Sequence, residues 1–177
     1  MTSRGSGLLS ALLGTVLLAL AGAAPAQEAW HTMTGPEKSF TADLPAEPKY
    51  TTAQSSTPAG VAYTMHQYQL EQGASAYVVQ FVIYPRDVNV ADQQRVLQSS
   101  LDRTAKDMDG GKWGSANFVK LQGATGVDAV GLREGSEIRS YSVLKGRQLY
   151  TLLHIGAPGS ARSAEAERFV ASLKIGP

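Results

Sequence analysis

Cysteine is absent from the 177 residues, which excludes disulfides, Cys-ligated zinc, a thiol nucleophile and the acylated cysteine of a lipoprotein. Charge is scarce and balanced. Only 18% of residues are charged, with 16 Lys+Arg against 15 Asp+Glu, so there is no cationic face of the kind that nucleic acid or an anionic membrane surface requires. Histidine is limited to His31, His66 and His154. They lie far apart, without an H-E-x-x-H pair for zinc or a G-x-S-x-G nucleophile elbow beside any of them. A catalytic triad is therefore not expected, and each histidine reads as a partly exposed strand or terminal residue; His154, beside Tyr150 and Leu152, is the one to inspect. Glycine-rich phosphate cradles are missing too, because Gly123–Gly126 and Gly110–Gly114 complete neither G-x-G-x-x-G nor G-x-x-x-x-G-K-[ST] and each precedes a strand. Asp107-Met108-Asp109-Gly110 resembles an EF-hand loop only superficially. With Gly110 at the invariant glycine, Ala105 and Ala116 occupy two ligand positions, which removes two required carboxylates. No catalytic, cofactor or metal residue is assigned, and none of these absences points to an enzyme.

Long apolar runs occur once. Leu8–Leu20 follows Arg4 and is followed by Ala24-Pro25-Ala26, the n-region, h-region and small-x-small pattern of a general secretory signal peptide. The expected cleavage falls between Ala26 and Gln27, dividing the chain into a signal peptide over 1–26 and one domain over 27–177. Thirteen apolar residues cover about 20 Å of a hydrocarbon core about 30 Å thick, too little for a membrane anchor. Cleavage removes Arg4 and no acid, so the mature chain is formally neutral. The expected destination is the bacterial periplasm or the exterior.

What remains is alternation punctuated by glycine. Phe40–Leu44, Val61–Leu70 and Ala76–Tyr84 read as strands, the last apolar on both faces and hence covered on both. The polar stretch Thr51–Gly60 reads as a loop. From Asn89 to Asp109 the period changes: Leu97, Leu101, Ala105 and Met108 share one helical face, with Gln94, Gln98 and Arg103 elsewhere on the surface, Asn89 as N-cap and Gly110-Gly111 as the stop. Four more strands follow over Lys112–Leu121, Thr125–Arg133, Glu137–Leu144 and Arg147–Ile155, with Gly123, Gly135 and Gly146 at hairpin turns. Ala161–Leu173 closes the chain as a second helix. This order predicts an α+β fold: an α/β/α sandwich with a mostly antiparallel sheet of six to seven strands and a helix on each face.

Phe40-x-x-x-Leu44-Pro45-x-x-Pro48, Tyr84-Pro85, Leu121-x-Gly123-x-x-Gly126, Arg139-x-Tyr141, Gly146-Arg147-x-Leu149-Tyr150 and Arg168-Phe169-x-x-Ser172-Leu173 together resemble exported bacterial members of the PsbP-like superfamily. That superfamily shares an α/β/α sandwich with the extrinsic photosystem II subunit PsbP and a Ran-binding nuclear-import factor. The resemblance spans nearly the whole mature chain and rests on turn and packing residues. It implies a non-catalytic binding or assembly accessory with an envelope protein as partner and no cofactor; it assigns no binding residue. The tyrosines at 50, 63, 68, 77, 84, 141 and 150, with Trp30 and Trp113, supply aromatic anchors for such an interface or pack between sheet and helix with their hydroxyls at the rim. The alternative expectation is a periplasmic carrier or sensor holding a small hydrophobic ligand between sheet and helix.

Overall fold

The computed structural model describes residues 29–57, 59–107, 111–133 and 135–176. The expected signal peptide and its expected cleavage residues Ala24, Ala26 and Gln27 lie outside them, as do Met108, Asp109 and Gly110 of the superficial calcium loop.

Alternating apolar residues build a seven-stranded, wholly antiparallel sheet. Ten strands are formed in chain order: β1 (His31–Thr34), β2 (Phe40–Leu44), β3 (Lys49–Ser56), β4 (Ala62–Gln72), β5 (Ser75–Ile83), β6 (Lys112–Leu121), β7 (Ala124–Arg133), β8 (Ser136–Lys145), β9 (Gln148–Gly156) and β10 (Lys174–Ile175). Helix α1 (Gln93–Asp107) separates β5 from β6, and α2 (Ala164–Ala171) follows a 3-10 turn at Ser160–Arg162. The large sheet runs β3-β4-β5-β9-β8-β7-β6, so the doubly apolar strands β5 and β9 sit side by side near its centre. A second sheet, β1-β2-β10, is also antiparallel.

Strand pleating sends successive side chains to opposite faces, and each face has its own core. On one face Tyr77, Val79 and Phe81 of β5 align with His154, Leu152 and Tyr150 of β9; Phe40, Ala42 and Leu44 of β2 and Phe169 of α2 belong to the same cluster. On the other, Val82, Val127, Ala129, Leu144 and Leu149 pack with Leu97 and Leu101 of α1. Fully burying one such leucine contributes about 1.5–3 kcal/mol, so this two-residue seam fixes the helix on the sheet.

Four expectations are corrected. Phe40–Leu44 joins the small sheet, not the large one, because its partners are His31–Thr34 and the two-residue β10. Thr51–Gly60 is not a loop throughout: Lys49–Ser56 forms the edge strand β3, polar because nearly every residue of it is solvent-exposed. Helix α1 starts at Gln93, with Asp92 taking the cap role as its carboxylate accepts the Arg95 amide at 3.0 Å, whereas the Asn89 side chain accepts the Ala91 amide two residues on. The second helix is likewise shorter, a 3-10 turn followed by α2 with Ser163 as its cap.

The motif residues act structurally. At the β6–β7 hairpin both Gln122 (φ 48°) and Gly123 (φ 81°) are left-handed, the requirement of a type I′ turn that glycine meets without strain. Gly126 lies so close to β8 that a Cβ there would stand 2.8 Å from the Ser142 carbonyl oxygen. Arg147 donates to the carbonyls of Tyr84 and Val88, both at 2.8 Å, fastening the segment after β5 to the β8–β9 turn. Arg168 lies 4.4 Å above the Trp30 ring, and Ser172 accepts the Asp43 amide at 2.9 Å, which binds the end of α2 to β2.

Candidate functional site

Helix α1 rests on β6, β7 and β8, and Trp113 of β6 donates its indole N–H to the Leu101 carbonyl at 3.0 Å. Over the β4-β5-β9 half of that sheet face, among the described residues, the helix reaches only the margin, through Val82, Leu149 and Tyr63. Between the flank of α1 and this half runs a side-open cleft of about 760 Å³. Its floor is Met65 of β4, Val82 of β5, and Leu149 and Leu153 of β9, interrupted by Gln80 and Thr151. Its wall is the helix stripe Arg95, Ser99 and Arg103 with Val96, Ser100 and Thr104 beside it, at the i, i+4 spacing that stacks side chains along one helix face. Farther from the helix the floor continues as a glutamine ladder: Gln80 donates to Gln67, Gln67 to Gln69 and Gln69 to Glu71, at 3.1, 3.2 and 3.3 Å.

One end of the cleft is organised by hydrogen bonds. Arg103 Nη1 donates to the Tyr63 hydroxyl at 2.9 Å, and Ser55 Oγ donates to the same oxygen at 3.1 Å. Tyr84 packs edge-on against Tyr63 with ring centroids 6.0 Å apart. Burial, followed by the neighbouring Tyr63, pushes the Tyr84 phenol above its ordinary value against the opposing charge of Arg103. Beside it Thr57 donates to Asp87 at 2.6 Å, and Val88 and Asn89 complete that margin, held in place by Arg147.

A second polar constellation lies on the opposite face of the sheet. Arg139, 3% exposed, forks onto Asp128 through Nε and Nη2, both at 3.0 Å, and its Nη1 reaches the Ala161 carbonyl at 3.3 Å and Glu167 at 3.1 Å. Arg162 adds bonds to Asp128 at 2.9 Å and Glu167 at 3.3 Å. Burial raises the Asp128 carboxyl, but the hydrogen bonds and charges of Arg139 and Arg162 outweigh it and hold the group below its ordinary range. The network pins α2 and the 3-10 turn to β7 and β8.

The histidines separate in space. His154 is buried at 1% exposure, a correction to its reading as partly exposed, because it faces Tyr77 and Arg139 in the middle of the sheet. Its Nδ1 and the nearby Ser160 hydroxyl are buried without a hydrogen-bond partner, and burial, then the Arg139 charge, hold its imidazole pKa low. His66 shares a 2.8 Å hydrogen bond with the Tyr50 hydroxyl, and His31 lies on the exposed start of β1. Among the described residues neither His66 nor His154 is hydrogen-bonded to a carboxylate, and no cluster of three potential metal ligands forms. The tyrosines divide between the two earlier readings: Tyr77 and Tyr150 are buried, Tyr50 is 50% exposed, and Tyr63 and Tyr84 line the cleft. Arg103 was legible only as a surface residue; the 95/99/103 stripe beside the Leu97/Leu101 seam marks the flank of the helix but not the strands it borders.

These features define an antiparallel α+β sandwich with a cleft along one helix. No family model matches the chain, and a search of curated proteins finds no match. Among solved structures, the solution structure of cyanobacterial PsbP (CyanoP) from Synechocystis sp. PCC 6803 is similar to it with a TM-score of 0.57 at 9% identity, over 89% of this chain and 99% of that one. The fold is therefore PsbP-like, as the motif residues imply, and at this identity the likeness shows the fold alone. A Pseudomonas aeruginosa protein of unknown function aligns at a TM-score of 0.42 and 12% identity, over 74% of this chain and 86% of that one. No helix among the described residues is long and apolar enough to cross a membrane.

Proposed function

We propose that the protein is an exported, non-catalytic accessory of the bacterial envelope that acts by binding, with the α1 cleft as its working surface. The cleft carries this reading: among the described residues, apolar side chains of the sheet lie there beside ordered polar groups in a side-open space of about 760 Å³. The secretory pattern of residues 1–26, ending in the Ala24-x-Ala26 site before Gln27, supports export. The PsbP-like fold supports an accessory role by analogy of architecture. Crosslinking with a photoreactive residue in place of Ser99, in the native envelope fraction, tests it. The expected result is one enriched partner joined at position 99 and not at position 47, an exposed site away from the cleft. Retention of the protein in the cytoplasmic fraction, or turnover of a substrate by the isolated monomer, overturns it.

A second reading, a periplasmic carrier or sensor of a small hydrophobic ligand, is favoured by the cleft's size. About 760 Å³ falls inside the range of small-molecule sites, about 300–1,000 Å³, and an apolar floor with few polar groups is their usual composition.

A further inference from the structure

We infer that β3, one edge of the large sheet, docks a second copy of this chain, strand against strand about a two-fold axis, so that two seven-stranded sheets run together as one. The pairing goes beyond the accessory reading and does not depend on what the cleft binds. The two edges of the sheet differ. β6 carries lysines at 112 and 120 and a bulge between Trp113 and Ser115, devices by which edge strands resist pairing with other chains. β3 keeps an unbroken register with β4 from Lys49 to Ser56, contains no proline, and bears its one charge, Lys49, at its start. Nearly all of its residues are solvent-exposed, so its outer side is open to a partner.

Backbone direction fixes which groups that side offers. The Thr57 amide donates to the Val61 carbonyl and the Gly60 amide donates to the Thr57 carbonyl, both at 2.9 Å, so Thr57 turns both of its backbone groups inward. Direction alternates residue by residue along an antiparallel ladder, and the N–H and C=O groups of Tyr50, Thr52, Gln54 and Ser56 therefore point away from β4. A two-fold axis normal to the sheet presents the same edge twice and keeps corresponding faces on one side. Centred on Ala53, it sets Tyr50 against Ser56 and Thr52 against Gln54 of the second copy as hydrogen-bonded pairs. Ala53 then faces Ala53 at the non-hydrogen-bonded position, where opposed side chains come nearest and a methyl group fits. The same register brings Lys49 opposite Thr57, whose hydroxyl holds the Asp87 carboxylate at 2.6 Å. Lys49 and Asp87 are both exposed, and among the described residues neither is in an ion pair. Each Lys49 thus meets the Asp87 of the other copy, and this charge match, made twice by symmetry, favours a second copy over a foreign strand. Both clefts open on the same face of the joined sheet.

Sedimentation equilibrium of the protein, with amide exchange followed residue by residue, tests the inference. A dimer is expected, in which the amides of residues 50, 52, 54 and 56 slow as protein concentration rises while those of 51, 53 and 55 do not. Ala53→Lys places like charges directly across the axis, and Lys49→Glu turns two attractions into repulsions. Each is expected to weaken association about tenfold with the monomer still folded, since both positions are solvent-exposed. Combining Lys49→Glu with Asp87→Lys is expected to restore the native affinity, and failure to do so overturns the Ala53-centred register. A dimer that Ala53→Lys leaves intact forms elsewhere and overturns the inference. So does a monomer at every loading up to about 1 mM; if a photoreactive residue in place of Gln54 then captures a different envelope protein, the edge belongs to that partner.

Discussion

Asp128 is placed between two guanidinium groups, and the two contacts are unequal. Arg139 is buried and forked onto the carboxylate, whereas Arg162 is half exposed. Removing the acid takes away the bidentate partner of Arg139 and leaves that buried cation only the half-exposed Glu167, so Asp128→Ala is expected to cost about 3 kcal/mol, while Arg162→Ala costs below about 1 kcal/mol. Urea unfolding of the two variants reads the difference. The paired replacement Asp128→Leu with Arg139→Met, which strands no charge, is expected to be far milder than the single change. His154 provides a separate pH response. Its ordinary value is 6.5, and burial with Arg139 lowers it in the fold. The unfolded chain thus takes up a proton that the folded one resists. Stability is full above about pH 6.5 and declines as the pH falls below it, with a further loss at strongly acid pH when Asp128, held below its ordinary 3.8, is finally protonated. Calorimetric melting between pH 7.5 and 5 is expected to show a falling Tm in the native protein and a flatter profile in His154→Leu.

At the scale of elements, α1 is held to the sheet by a short set of contacts. It meets the sheet through Leu97 and Leu101, the Trp113 bond, the Arg103 bond to Tyr63 and the Gln93 side chain, which accepts from Thr125. Leu101→Ala is expected to cost about 2–5 kcal/mol and Asp92→Ala about 1 kcal/mol. Hydrogen exchange should show the α1 amides opening before those of β5 and β9 in both variants, since a weakly seated element opens locally. How far each element was legible follows from burial. β5 and β9 announce themselves because both of their faces are apolar, and the hairpins of β6–β9 because left-handed turn residues separate them. The edge strand β3 does not, since Lys49–Ser56 faces water along nearly its whole length and carries no alternation. The burial of His154 and Arg139 was available from parity: both share the face of Tyr150, Leu152 and Tyr141. The cleft was hidden, because it depends on α1 settling over β6–β8 and not over the sheet centre, and no local pattern encodes that lateral choice.

For the whole molecule, the small sheet ties chain ends to middle. Ile175 is buried, its amide donates to Gln122 at 2.8 Å, and Lys145 reaches the Gly176 carbonyl at 2.7 Å. Deleting residues 174–177 removes that buried side chain and strips β2 of a partner, a loss of about 1.5–3 kcal/mol from Ile175 alone. A fall in Tm of about 5 °C or more is the expected reading. Because β1 and β10 flank the same strand, the domain's first and last described residues enter and leave on one side of the large sheet, and the α1 cleft opens on the other. A biosensor surface or affinity bead coupled beside Trp30 or Gly176 would therefore hold the domain by its back, leaving the cleft turned toward solution.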